Sequence, residues 1–133
     1  MLRFALFFLL CAGAIAQVRG DYPHEQTITA YVDAFNSGDE AKMSAFFTAN
    51  LAEQSLKQRS MAERLERYRT MRADLKSLKL VEVAQVEISP DKQAVTAAMR
   101  AGNGDAVTVT FLFDPQPPNK LVGIGIELGD ARG

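Results

Sequence analysis

At 133 residues, with 47% hydrophobic and 23% charged residues, the chain has the size and balance of one globular domain that buries its own core. A net charge of −1 excludes the strongly basic footprint that nucleic-acid binding calls for. The lone cysteine, Cys11, excludes an internal disulfide and a multi-thiolate metal site.

The first sixteen positions read as a signal peptide. Arg3 is the basic start, Phe4 to Leu10 is an unbroken apolar run, and Ala14-Ile15-Ala16 has the A-x-A form of a cleavage site. Val18-Arg19-Gly20 offers a second site. The apolar run is too short for a membrane span, which needs about 20 residues. Cys11 follows Leu10 rather than a small residue, so it reads as an ordinary leader residue and not as a lipid anchor. The expected organisation is a signal peptide over 1–16, a flexible lead over 17–23 and one domain over 24–129. The mature chain is then cysteine-free and exported, periplasmic or secreted, with no membrane segment left after cleavage.

From His24 the apolar spacing becomes helical. Ile28, Tyr31, Val32 and Phe35 form one face, and Asn36-Ser37-Gly38 ends the helix. Asp39 is a fitting N-cap for a second helix, with Met43, Phe46, Phe47 and Leu51 on its apolar side. Ser60-Met61-Ala62-Glu63 has the form of a capping box and opens a long helix over 61–76. Met61, Leu65, Tyr68, Met71 and Leu75 line its core stripe, interrupted by Arg72. Glu63, Arg64, Glu66, Arg67 and Arg69 read as its solvated side, with Glu63 and Arg67 spaced as a supporting pair.

The period then drops to two. Leu78, Leu80, Ala84, Val86 and Ile88 share a strand face, with Glu82 out of place. Ser89 to Lys92 is a turn. Val95, Ala97 and Met99 alternate in a second strand, and Val107, Val109, Phe111 and Phe113 in a third, separated by Gly102 to Asp105. After the proline-rich stretch from Pro115 to Lys120, Val122, Ile124, Ile126 and Leu128 share a face of the last strand. Gly123 and Gly125 lie on its other face, which suggests a bend or a close backbone approach. Three helices followed by four meandering strands predict an α+β fold, with the helices on one side of an antiparallel sheet.

The stretch Tyr31-Val32-Asp33-Ala34-Phe35-Asn36-Ser37-Gly38-Asp39, in that element order, resembles the nuclear-transport-factor-2-like (SnoaL-like) superfamily with its cystatin-like cone. Arg64 to Arg69, Arg72 to Leu75 and Phe113 to Leu121 resemble, more narrowly, an accessory domain found beside exported bacterial serine hydrolases and peptidases. The resemblance implies a cone enclosing a pocket, which serves some members as an active site and others as a ligand or partner surface. This chain holds no hydrolase of its own. Residues that would line such a pocket are Tyr31, Phe35, Tyr68, Met99, Val109, Phe111 and Ile124.

Chemistry is sparse. An isomerase of the ketosteroid kind needs a carboxylate facing an oxyanion hole in an apolar pocket. Tyr31 and Tyr68 supply phenols, but inward strand positions such as Val95 and Ile126 are apolar, Asp33 lies off the apolar stripe and Asp114 sits beside prolines. No catalytic residue is assigned. The simpler role of both tyrosines is structural, bonded through their hydroxyls. The methionines and phenylalanines suit a core as well as a ligand cavity. His24, at a helix start, reads as exposed, and a single histidine without cysteine supports no zinc site. No nucleophile elbow, phosphate loop or dinucleotide fingerprint is present, so no cofactor is expected. The expectation is a non-enzymatic exported domain that binds a partner protein or a small apolar ligand. The alternatives are a small acid–base enzyme of the isomerase or polyketide-cyclase type and a homodimerising module.

Overall fold

The computed structural model describes residues 22–129. The leader, its cleavage sites, Cys11 and most of the lead at 17–23 lie outside the described residues. The elements are α1 (Glu25–Ser37), α2 (Glu40–Asn50), α3 (Glu53–Gln58), α4 (Met61–Leu75), β1 (Leu78–Ser89), β2 (Lys92–Ala101), β3 (Ala106–Phe113) and β4 (Leu121–Leu128). The strands form one antiparallel sheet in the order β1-β2-β3-β4, and the helices cover one face. This is the expected α+β cone, with one helix more than the sequence indicated.

The turn between α1 and α2 is set locally. Gly38 adopts φ 70°, and the Asp39 side chain accepts the Ala41 amide at 2.8 Å. The last carbonyls of α1 are then capped from α4. Phe35 O accepts the Tyr68 hydroxyl at 2.9 Å and Arg72 Nε at 3.1 Å, and Asn36 O accepts Arg72 Nη2 at 3.3 Å. Arg72 interrupts the apolar stripe of α4 because it satisfies these helix-end acceptors. The Phe35 to Asp39 motif is therefore a structural device.

The capping box forms as read: Glu63 N donates to Ser60 Oγ, and Ser60 N donates to Glu63 Oε1 at 3.2 Å. Glu63 forms no ion pair with Arg67 within 4 Å. Among the described residues the ion pairs within 4 Å are Arg69–Glu40 and Lys92–Glu87. The short α3 carries too few apolar residues for a periodic signal. It is held by tertiary bonds, Ala52 N to Leu121 O at 2.8 Å and Ser55 Oγ to Val122 O at 3.0 Å. Leu51 leaves α2 and makes a parallel bridge with Leu121 instead of extending the helix face.

Two irregularities correct the alternation expected in β1. The register slips between Leu80 and Glu82, and again between Val83 and Gln85. A bulge adds one residue and inverts the faces that follow it. Val83, opposite Ala97, therefore joins Leu78 and Leu80 on the core side, while Glu82 and Ala84 are exposed. Glu82 is not an exception once the bulge is counted. A similar shift in β4 buries Leu121 and leaves Val122 42% exposed, with Ile124 and Ile126 on the core face. A Cβ at Gly125 would meet nothing within 4 Å, and one at Gly123 would make only ordinary contact with the Leu112 side chain at 3.7 Å. Neither glycine marks a close approach.

The core fills the space between α1, α2, α4 and the strands β2 and β3. Ile28, Phe35, Val95, Val109, Phe111 and Leu121 are fully enclosed. His24 is half-buried rather than exposed. Its ring stacks on Phe113 at 3.7 Å between centroids, and Nε2 lies 2.7 Å from Gln93 Oε1.

Candidate ligand cavity at the cone mouth

Beside the later part of β4 the filling is incomplete. Between this edge strand and α4 lies a cavity of about 310 Å³, at the lower end of the range of small-molecule sites, about 300–1,000 Å³. Ile124, Ile126 and Leu128 form one wall, and Met71 and Leu75 of α4 the other. Tyr31 of α1 and Phe47 of α2 close it from the core side. Arg59, Arg64, Arg67 and Asp74 supply its charged groups.

Tyr31 is 2% exposed. Its ring meets Phe46 edge-on at 5.6 Å and Phe111 at 5.4 Å. Burial, with the Tyr68 phenol nearby, raises its pKa far above the ordinary tyrosine value, so it stays a protonated donor. Tyr68 places its hydroxyl on Phe35 O. Among the described residues Tyr31 has no such partner. A buried hydroxyl left unpaired costs roughly 1–3 kcal/mol, a cost that a ligand acceptor or water in the cavity would remove.

Arg64 is anchored. Nη2 donates to Ser55 O at 2.7 Å, Nε donates to Arg59 O at 3.3 Å, and the guanidinium lies 5.8 Å from the Phe47 ring centre. Burial, with Arg59 and Arg67 alongside, lowers its pKa below the ordinary guanidinium value. Arg59 and Arg67 are exposed, and neither takes part in an ion pair with a described residue. Asp74 is exposed too. Glu63 and Glu66 lie in a shallow groove outside, shared with Arg59 and Arg67.

Of the residues named from the sequence, Tyr31 and Ile124 line this cavity. Phe35, Tyr68, Met99, Val109 and Phe111 belong to the filled core. Asp33 is exposed, and Asp114 accepts the Gln116 amide at 2.9 Å. Neither faces a phenol. The sequence placed Arg64 and Arg67 on a solvated face, left Phe47 between core and cavity lining, and gave no site role to Arg59 or Asp74. A signal existed: Arg64, Arg67, Met71 and Asp74 repeat at i, i+3, i+7 and i+10, a stripe beside the core stripe of α4. Among the described residues no cluster of His, Cys, Asp or Glu could hold a metal ion, and no helix is long and apolar enough to cross a membrane.

No family model matches the sequence, and no curated protein matches it. Among solved structures the chain is similar to a protein from Agrobacterium tumefaciens named a "putative isomerase of the SnoaL-like family". The TM-score is 0.55 at 11% identity, over 80% of this chain and 97% of the other. At that identity the likeness establishes the SnoaL-like fold and not an activity.

Proposed function

We propose that this chain is a binding domain that takes a small, largely apolar ligand into the cavity between α4 and β4, without catalysing a reaction on it. The observation that carries the reading is Tyr31, a buried residue that lines the cavity and whose hydroxyl has no partner among the described residues. A buried donor facing a cavity is suited to fixing a ligand's orientation. The leader read at residues 1–16 supports an exported setting.

The test is backbone chemical-shift mapping with an apolar probe such as octanol. Shifts confined to Tyr31, Met71, Ile124 and Ile126, and lost when Ile126→Trp fills the cavity, are the expected result. Shifts scattered over the outer sheet face, or none at all, overturn the reading.

A general acid–base isomerase is the second reading, favoured because Asp74 and Tyr31 line the same cavity. Against it, Asp74 is exposed, and neither tyrosine hydroxyl bonds a carboxylate. Deuterium uptake at the α-carbon of a cyclic ketone in heavy water separates the two. Uptake above buffer that disappears in Asp74→Asn would establish the isomerase, whereas binding alone predicts none.

A further inference from the structure

We infer that the ligand is an amphipathic monocarboxylate, with its carboxylate at the arginine rim and an oxygen acceptor toward Tyr31; this rests on the binding role proposed above. The cavity decides the size. About 310 Å³ holds roughly ten water-sized groups, at about 30 Å³ each. The walls decide the body, because Met71, Leu75, Ile124 and Ile126 offer nothing polar on their side chains.

The rim decides the charge. Arg59, Arg64 and Arg67 line the cavity with Asp74; Glu63 and Glu66 line the adjoining groove that Arg59 and Arg67 also border, and Glu63 is held by the Ser60 amide. No carboxylate stands within 4 Å of the Arg59 or Arg67 guanidinium among the described residues. Their forked donors are open to a planar carboxylate, which they fit in a bidentate manner. Asp74 at the same rim, with Glu63 and Glu66 in the adjoining groove, offsets these cations and disfavours a dianion such as a phosphate monoester. Arg64, anchored on Ser55 O and lying by Phe47, provides the least mobile of the three cations.

The core side decides the far end of the ligand. A fully hydrocarbon tail would offer the Tyr31 hydroxyl no acceptor, whereas a hydroxyl or carbonyl on the tail would accept its hydrogen bond. A site built around one buried donor discriminates strongly against an analogue lacking the acceptor.

Calorimetric titration of the purified protein with octanol, octanoate and ω-hydroxyoctanoate tests this. Octanoate is expected to bind about tenfold tighter than octanol at low salt, a difference of about 1.4 kcal/mol. The gap should shrink on adding salt and narrow in Arg67→Gln, a variant of an exposed residue whose melting temperature, expected to be unchanged, checks that it folds. ω-Hydroxyoctanoate should bind more tightly than octanoate to the natural chain and lose that advantage in Tyr31→Phe; equal binding of the two to the natural chain overturns the acceptor at Tyr31. Equal binding of octanol and octanoate, with Ile126→Trp abolishing both, overturns the carboxylate inference and leaves the binding role standing. If none of the three binds, both fall. If a phosphate monoester of octanol outcompetes octanoate, the choice of a monocarboxylate is wrong.

Discussion

Asn36 and Leu78, forty-two positions apart, are bonded in both directions: Asn36 Nδ2 donates to Leu78 O at 2.8 Å, and Leu78 N donates to Asn36 Oδ1 at 2.8 Å. The side-chain amide thus imitates a neighbouring strand at the start of β1 and ties the end of α1 to the sheet. Two hydrogen bonds at about 0.5–1.5 kcal/mol each, with Leu78 otherwise buried, make Asn36→Ala costly by about 2 kcal/mol. Asn36→Asp keeps only the acceptor half and should lose a similar amount. Urea unfolding midpoints at unchanged slope measure both.

The two buried tyrosines should respond in opposite ways to loss of the hydroxyl. Tyr68→Phe strips a bond from Phe35 O and should destabilise by about 1–2 kcal/mol. Tyr31→Phe removes a hydroxyl with no partner among the described residues, and stability should hold or rise slightly. A comparable loss in both variants would mean that Tyr31 has a bond of its own. Paired thermal and urea unfolding curves distinguish these outcomes.

Gly38 is required by conformation and by space. At φ 70° a side chain is disfavoured by about 1–2 kcal/mol, and a Cβ there would lie 3.0 Å from Arg72 Nη2. Gly38→Ala should therefore destabilise by at least about 1 kcal/mol. Combined with Arg72→Ala the penalties should be less than additive, because the crowding partner is gone.

The Tyr31 phenol gives stability a signature in alkali. Its pKa is raised by burial, then by Tyr68. The folded chain therefore holds a proton that the unfolded chain releases above about pH 10. The contribution is complete below the unfolded value and is lost as pH rises through about 10 and beyond. Urea midpoints at about pH 9 and about pH 11 should fall less in Tyr31→Phe than in the natural chain. An identical fall would show that other groups control the alkaline limb.

The bulges in β1 predict which neighbour tolerates charge. Ala84→Glu, on the exposed bulge, should change stability by within about 0.5 kcal/mol. Val83→Glu puts a carboxylate against the core opposite Ala97 and should cost several times more. Equal effects would contradict the register.

The amino-acid sequence by itself determined the helix boundaries at Gly38, Asp39 and Ser60, the order of helices before strands, and the class of fold. Each of these is a local preference: a left-handed glycine, a capping oxygen, or a period of 3.6 or two. Only the tertiary structure decided the face of Val83, the side of β4 on which Leu121 lies, and the existence of α3. A bulge leaves no local mark in an apolar run, and a six-residue helix is held by contacts to a distant strand. It also decided the candidate site. The Tyr31 phenol was legible as inward-facing, but that Tyr68 finds a partner and Tyr31 does not depends on where α4 meets the end of α1. Arg64 and Arg67 read as solvent-facing charge because helical spacing fixes a side chain's direction and not what lies opposite; the gap between α4 and β4 turned that surface into the rim of a cavity.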